Sequence, residues 1–189
     1  MCENLFREFQ PHRNYNGINY ADYKRYKQFL ADNFNGRCGY TNCHHNWFGG
    51  INNFHIDHFI PWKKHPENPG LKTNYANLVY ACSYVNIAKS DDEGEFIDPC
   101  DNDFNNHFYR DHSGNILPKD DSVPAKYMYK KLKLYLKRYG IIWVLDQLEQ
   151  RMFRLQELIE ATDNDEARAL FVEIGMRYND YKRYLRAVQ

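Results

Sequence analysis

Residues 54–90 constrain the fold more than any other part of this 189-residue chain. The segment opens with an apolar and aromatic run, 54–60, that stops at Pro61, as expected of a short strand ended by a residue without a backbone donor. A second apolar run, 77–82, predicts another strand. It leads into Ser83, a favourable N-cap, and a short helix is predicted to follow. The local prediction is strand, long polar loop, strand, helix.

Three polar side chains in this segment suit phosphodiester hydrolysis. That reaction needs a cation to neutralise charge on the phosphoryl and leaving oxygens, and a base to deprotonate water. Asp57 and Asn86 offer hard oxygen ligands for a divalent ion. His58 has an unperturbed pKa of about 6.5, which suits a general base. The chemistry and the spacing of these residues therefore agree.

Three short motifs resemble the HNH (ββα-metal) endonuclease family: Asp57-His58-Phe59-Ile60-Pro61, Asn77-Leu78-Val79 and Asn86-Ile87-Ala88-Lys89. The resemblance implies that His58 is the general base, and that Asp57 and Asn86 bind one divalent ion, usually Mg²⁺ or Mn²⁺. It also implies that Asn77 holds the loop and orients His58. Lys89, one helical turn from Asn86, is expected to help with phosphate.

Two features of the first motif strand need a structural answer. His55 lies where some members of the family carry another acidic residue, and it is either an auxiliary metal ligand or a plain strand residue. In a regular strand, Asp57 and His58 would point to opposite faces. We therefore expect a bulge or a strand end that bends the backbone beside the site.

The sequence departs from the family in its cysteines. Many HNH proteins carry two Cys-x-x-Cys pairs that bind a structural zinc ion. Here the corresponding segments are Cys38-Gly39-Tyr40-Thr41 and Cys82-Ser83-Tyr84-Val85, so each has lost its second cysteine. We therefore expect no structural zinc, with Thr41 and Val85 packing into the vacated space. The alternative is a displaced zinc site, built from Cys38, Cys43, Cys82 and either His44 or His45.

The formal net charge of zero argues against a globally basic nucleic-acid binder. Its distribution is uneven, because residues 1–121 hold 12 Lys and Arg against 16 Asp and Glu, whereas residues 122–189 hold 13 against 9. Residues 91–121 contain ten of those acids, and we expect this acidic block to lie away from a bound phosphate backbone. The basic C-terminal part is the predicted electrostatic footprint, with solvated helix faces as the alternative.

The polar N-terminal residues and the lack of a long apolar run predict neither a signal peptide nor a membrane span. Five cysteines without regular spacing suit a reducing cytosol better than a disulfide framework. We therefore expect a cytoplasmic protein.

Outside the motif, apolar spacing predicts most of the remaining elements. Residues 1–17 are predicted to form a loosely held arm, 19–33 a helix, and 107–118 a β-hairpin around Ser113-Gly114-Asn115. The polar loop 62–76 is long for a hairpin. Its lysines either contact phosphate or serve solubility.

The C-terminal part is rich in helix formers. A helix is predicted to begin at Pro124 and to break at Gly140, followed by helices over 141–161 and 165–187. We expect these helices to pack as a bundle against the preceding part. A helix pair that binds a partner is the alternative.

Together these expectations describe an α+β protein with a ββα-metal nuclease domain over residues 1–121 and a C-terminal helical bundle over residues 122–189. The implied function is metal-dependent hydrolysis of DNA, in restriction or anti-phage defence. Similar small HNH proteins include Septu-like and retron-associated effector subunits, so a nuclease gated by an ATPase partner is one alternative. A catalytically silent subunit that binds nucleic acid or a partner is the other, and a homodimer is compatible with each.

Overall fold

The structure, a computed structural model, describes residues 4–188. The strands are β1 (Asn4–Leu5), β2 (Phe54–His58), β3 (Leu78–Cys82), β4 (Phe108–Arg110) and β5 (Ile116–Pro118). The helices are α1 (Lys27–Asn33), α2 (Ser83–Lys89), α3 (Val123–Lys131), α4 (Lys137–Thr162) and α5 (Asp165–Ala187). No helix in the described range is long and apolar enough to cross a membrane. The mixture of helices and small sheets agrees with the predicted α+β class.

β2 and β3 form an antiparallel pair whose register is unbroken over all five residues of β2. The predicted bulge is therefore absent, and the side chains of Asp57 and His58 alternate between the two faces of the strand. The strand ends at His58, two residues earlier than predicted, and the backbone bends at Phe59 and Ile60. Of the two expected features, a bulge and a strand end, the structure contains the strand end.

The two faces of this strand pair contact different elements. On one face the rings of Phe54 and Tyr80 lie 4.7 Å apart, and Tyr80 also contacts Phe34, the residue that follows α1. The opposite face carries Asp57, which contacts Lys89 of α2. β2, β3 and α2 therefore lie in direct contact, in the predicted order along the chain.

Helix α2 begins without a loop after β3. Cys82 occupies the N-cap position and makes no side-chain capping bond. The prediction of Ser83 as the N-cap is therefore wrong by one residue. Packing holds this seven-residue helix in place, because Val85 and Lys89 are both fully buried.

The predicted helix over 19–33 is shorter than expected. Asp22 accepts a hydrogen bond from the backbone of Lys24 at 3.0 Å and so caps a 3₁₀ turn, Tyr23–Tyr26, that leads into α1. The residues before Asp22 are not helical. The periodic tyrosines instead pack together, with the ring of Tyr20 5.1 Å from that of Tyr26.

A second sheet has the strand order β1-β4-β5 and is antiparallel throughout. Strands β4 and β5 form the predicted hairpin around residues 113–115. The prediction of a loose arm is wrong for its first described residues, since β1 pairs with β4 and Phe6 is fully buried. Residues 1–3 of that predicted arm lie outside the described residues.

Arg110 ties this sheet to the rest of the protein. Its guanidinium is fully buried and donates to the carbonyl oxygens of Phe6 at 3.2 Å, Gly114 at 2.7 Å and Thr41 at 2.7 Å. These oxygens belong to three separate segments. Five N–H donors in a planar fork allow one arginine to satisfy all three.

The break between the first two C-terminal helices lies at a different place from the predicted one. Helix α4 runs through Gly140, and the break lies at residues 132–136, where Lys133 has a φ of 53°. α5 has the predicted bounds and folds back on α4 after Asp163 and Asn164. The buried residues of α4 all lie in its first half, so this half packs on the core.

Asp146 of α4 provides a polar link between the helix and the preceding part of the chain. One of its carboxylate oxygens pairs with Arg37 at 2.7 Å, and the other accepts a hydrogen bond from the indole of Trp47 at 2.5 Å. The side chain of Asp146 is almost fully buried. The division into domains at residue 121 stays a prediction, but contacts cross it.

Gly140 is where α4 approaches the β4–β5 turn most closely. A Cβ atom there would lie 2.7 Å from Oδ1 of Asn115, 3.1 Å from its backbone nitrogen and 3.1 Å from the carbonyl oxygen of Ser113. Two of these atoms belong to the backbone and cannot turn aside. A side chain at this position would therefore push the helix and the turn apart.

We predict that Gly140→Ala lowers the free energy of unfolding by about 1–3 kcal/mol, because overpacking outweighs the gain in helix propensity. Urea unfolding followed by tryptophan fluorescence measures this change. Gly175→Ala in α5 is the matched control, since its Cβ would meet only Met152 at 3.9 Å. The control substitution should raise the free energy of unfolding by about 0.5–1 kcal/mol. Equal effects of the two substitutions would contradict the packing argument.

Candidate active site

The candidate site lies between the helix-facing side of β2 and helix α2. The side chains of His55 and Asp57, two residues apart in the strand, both lie on this side of it. Asn86 and Lys89 lie one turn apart on the helix. The amide of Asn86 donates to Nδ1 of His55 at 3.1 Å, and Nζ of Lys89 lies 3.2 Å from Oδ1 of Asp57. The fold thus brings together all four of these predicted site residues as two facing pairs.

The Asp57 carboxylate is enclosed by polar partners. Asp57 is 3% exposed, and its second oxygen accepts a hydrogen bond from the hydroxyl of Tyr40 at 2.6 Å. Burial raises the pKa of the Asp57 carboxyl above its ordinary value, although the Lys89 charge and the Tyr40 hydroxyl oppose that shift. A buried carboxylate needs such partners, since desolvation alone would disfavour its charge.

The structure corrects the prediction for Lys89. Its side chain is fully buried, and the ammonium donates to Asp57, to the carbonyl of His58 at 2.8 Å and to the carbonyl of Phe59 at 3.1 Å. An ammonium has three N–H donors, and all three are used. The predicted phosphate contact therefore does not fit this structure. Lys89 instead fixes the backbone where it bends after β2.

His58 is held by a backbone carbonyl. Its Nε2 lies 2.9 Å from the carbonyl oxygen of Lys72, which can only accept, so Nε2 carries the proton and the neutral ring has its lone pair on Nδ1. The ring contacts that of Tyr23 edge to face at 4.7 Å. Burial, with smaller effects of nearby lysines, lowers the pKa of His58 below its ordinary value. The ring is therefore neutral at physiological pH, as a base must be.

Asn77 is 5% exposed and braces both ends of the segment that positions His58. Its Oδ1 accepts from the backbone nitrogen of Ile60 at 2.8 Å, and its Nδ2 donates to the carbonyls of Ile60 at 2.9 Å and Leu71 at 3.0 Å. Ile60 follows His58 by two residues, and Leu71 precedes the residue whose carbonyl holds the His58 ring. These contacts support the predicted orienting role of Asn77.

Two adjoining clefts open onto these residues. One, of about 320 Å³, is lined by both His58 and Asn86, together with Asp57, Tyr23, Ile56, Pro61, Trp62, Lys63, Ser90 and Asp91. The other, of about 340 Å³, is also lined by Asn86 and Tyr23, together with Lys24, Lys27, Phe54, His55 and Ile56. Because Tyr23, Ile56 and Asn86 line both clefts, the two adjoin each other.

The acidic block does not lie wholly away from this site. Asp91, its first residue, lines the same cleft as His58, which corrects the sequence prediction. Of the three loop lysines, Lys63 lines this cleft, whereas the ammonium of Lys64 lies 3.8 Å from the carboxylate of Glu93 and that of Lys72 lies 4.8 Å from the ring centroid of Trp62. Lys63 is therefore the loop lysine that lines the cleft.

The site contains three side chains of the types that bind divalent cations. His55, Asp57 and Asn86 offer an imidazole, a carboxylate and an amide oxygen on facing elements, and hard divalent ions bind such oxygen ligands. Oδ1 of Asn86 has no hydrogen-bond partner among residues 4–188. The Asp57 carboxylate is already paired with Lys89, so a cation there shares it with an ammonium.

The cysteine segments are packed and buried. Thr41 and Val85, the residues expected to fill the vacated space, are both fully buried. Burial raises the pKa of the Cys43 thiol to about 12, whereas the pKa of Cys38 is lowered to about 6 because hydrogen bonds with Cys82 and Thr41 outweigh its burial. His45 contacts the hydroxyl of Tyr80 at 2.9 Å. Within the described range, no group of three or more His, Cys, Asp or Glu side chains could hold a metal ion. This applies also to the residues of the alternative zinc site.

Sequence reasoning missed two aromatic residues of the site. Tyr40 donates to Asp57, and Tyr23 packs on His58. Tyr40 had a sequence signal, since it lies within the first of the two cysteine segments, Cys38-Gly39-Tyr40-Thr41. Tyr23 had none, because its spacing suits an ordinary helix face.

Comparison with known proteins gives a family match over part of the chain. Residues 36–92 match the family model described as HNH endonuclease, and they include every predicted site residue. No protein of curated function and no solved structure matches the chain. The family match supports an HNH domain in this part of the chain, and with it a nuclease that acts on nucleic acids. The resemblance to Septu-like and retron-associated subunits stays a prediction.

We predict that Lys89→Met lowers the free energy of unfolding by about 3–5 kcal/mol, because it leaves a buried carboxylate without its counter-charge. The double variant Asp57→Asn/Lys89→Met should lose less free energy of unfolding than Lys89→Met alone. Chemical unfolding of the variants gives these values.

The matched control is Lys131→Met, which removes the half-exposed ion pair of Lys131 with Asp92 at 2.8 Å. This substitution should lower the free energy of unfolding by about 0–1 kcal/mol. A Lys89→Met cost as small as that of the control would show that Lys89 does not stabilise the site through its charge.

Proposed function

We propose that the protein is a metal-dependent endonuclease that hydrolyses phosphodiester bonds of DNA. The observation that carries this proposal is the placement of His58, whose Nε2 is fixed by the carbonyl oxygen of Lys72 so that Nδ1 is left as the nitrogen able to accept a proton, in the same cleft as Asn86. A base held in this way accepts a proton from water without first reorienting. Both residues lie within the stretch that matches the HNH family.

In this mechanism the roles divide between the faces of β2. His58 Nδ1 takes the proton from the attacking water. Asp57 and Asn86 would hold the divalent ion, with His55 as an auxiliary ligand, and the ion would supply positive charge where negative charge builds on the phosphoryl and leaving 3′ oxygens. Asn77 and Lys89 position the bend between these groups. Nearby Lys63 offers a charge to the phosphate backbone.

One observation favours a second candidate, a nuclease that cuts only within a complex. Asp57 is held by Lys89 and Tyr40, so its oxygens reach a cation only in competition with these partners. A partner that shifts α2 would release the carboxylate. An ATPase subunit of a defence complex, suggested by the sequence resemblance, is such a partner. The zero net charge adds to this candidate, since weak intrinsic DNA affinity calls for help in binding.

We predict that His58→Ala lowers the rate of plasmid cleavage with Mg²⁺ or Mn²⁺ by about 10²–10⁴-fold, the usual contribution of a general base. Its melting temperature should stay close to that of the wild type. The control is His112→Ala on the exposed β4–β5 turn, which should cut normally. Full cleavage by His58→Ala would overturn the role of His58. A wild type that cuts only after addition of an ATPase partner would establish the second candidate.

We predict that Asn86→Ala raises the metal concentration needed for half-maximal cleavage, because it removes an oxygen donor at the cation. His55→Ala should do so less with Mg²⁺ than with Mn²⁺, which accepts nitrogen ligands more readily. A titration of each metal, measured by plasmid cleavage, separates these effects. If Asn86→Ala lowers the rate at every metal concentration without moving the midpoint, Asn86 is not a ligand.

A further inference from the structure

Arg138 is a buried arginine without a polar partner. It lies in the first turn of α4 and is 6% exposed, and within residues 4–188 it makes no hydrogen bond or ion pair. Its Nε is buried and unsatisfied. Two other arginines with buried side chains use their donors, since Arg110 binds three carbonyls and Arg13 binds Asp98 at 2.8 Å. An unpaired buried guanidinium is costly unless a ligand completes it.

Two aromatic rings hold the Arg138 guanidinium in place. Its central carbon lies 3.9 Å from the ring centroid of Tyr84 and 5.2 Å from that of Phe48. Cation–π contacts of this kind fix the plane of the group but satisfy none of its N–H donors. The fork is therefore oriented in advance and retains its capacity to bind an anion.

Arg138, Phe48 and Tyr84 line one open cleft of about 580 Å³, and His55 lines it too. Since His55 contacts Asn86, this cleft continues directly from the candidate active site. The N-terminus of α4 carries no side-chain cap, and its partial positive charge adds to that of Arg138. Arg7 also has unpaired nitrogens, but it stacks on Phe104 and lines no cleft that contains a site residue.

We propose that Arg138 binds a backbone phosphate of the DNA substrate, on the His55 side of the cleaved bond. A phosphate accepts two parallel hydrogen bonds from a guanidinium fork, which supplies the missing partners. The inference rests on the proposed function and extends it, because it adds a binding residue from the C-terminal helices to a site built by residues 54–90. It also gives the basic C-terminal part a specific point of contact with DNA.

The test is fluorescence anisotropy with a fluorescein-labelled 20-base-pair duplex, at several salt concentrations. All variants carry His58→Ala, so that the probe stays intact. Arg138→Gln should bind about tenfold more weakly, and the slope of log K against log salt should shrink by about 0.9, the loss of one phosphate contact. Arg138→Lys should keep most of the slope, since the charge remains.

Arg154→Gln is the matched control. It removes an exposed arginine of the same helix, sixteen residues further on, about 24 Å along the axis. Melting temperatures are measured for every variant. A salt slope unchanged by Arg138→Gln would overturn the inference, with or without a lower melting temperature, because packing alone does not alter counterion release. An equal loss in Arg154→Gln would also overturn it.

Failure here is distinct from failure of the proposed function. If Arg138→Gln leaves DNA affinity unchanged and the protein with His58 intact still cuts plasmid, the inference is wrong and the nuclease stands. If the wild type neither binds DNA nor cuts it, the proposed function falls, and the role of Arg138 falls with it.

Discussion

The buried ammonium of Lys89 is the interaction on which the candidate site depends. It joins helix α2 to Asp57 and to the two carbonyls that follow in the chain, so the helix, the strand and the bend become one unit. A buried charge is tolerated only with such complete pairing. Each partner therefore has its place fixed by the others, and neither Asp57 nor Lys89 can change alone without a penalty to the fold.

Asn77 has the equivalent role for His58, through neutral groups. It binds the backbone on both sides of the loop that holds the imidazole, and the loop supplies the carbonyl that sets the tautomer. The chemistry thus lies on side chains that open into clefts, while buried side chains maintain their geometry. This separation explains why a site of few residues has a motif that extends over a much longer segment.

The resemblance to the HNH motif named the candidate site residues, and the structure brings His55, Asp57, Asn86 and Lys89 together on facing surfaces of β2 and α2. Sequence reasoning also located β2, β3 and α5, whose patterns are strong. It failed where tertiary contacts decide. Gly140 looks like a helix breaker, yet α4 continues through it. A glycine is needed there because the β4–β5 turn occupies the space that a side chain would take. Lys89 looks like a phosphate ligand, yet its donors are consumed by the backbone. Arg138 carried no local signal, since its cleft forms only when α4 packs beside α2.

The helical hairpin has an uneven distribution of contacts. The first half of α4 is buried, whereas the far end of the hairpin exposes apolar side chains such as Phe153 at 61% and Val172 at 61%. Beyond the core, the hairpin is held only by its backbone bonds and by the packing of α4 against α5, where Ala167 is buried. Amide hydrogens near Asp163 will therefore exchange with solvent through local opening, while those near Gly140 exchange only when the core itself unfolds. The hairpin thus divides into a root that shares the stability of the globular part and a tip that opens independently of it.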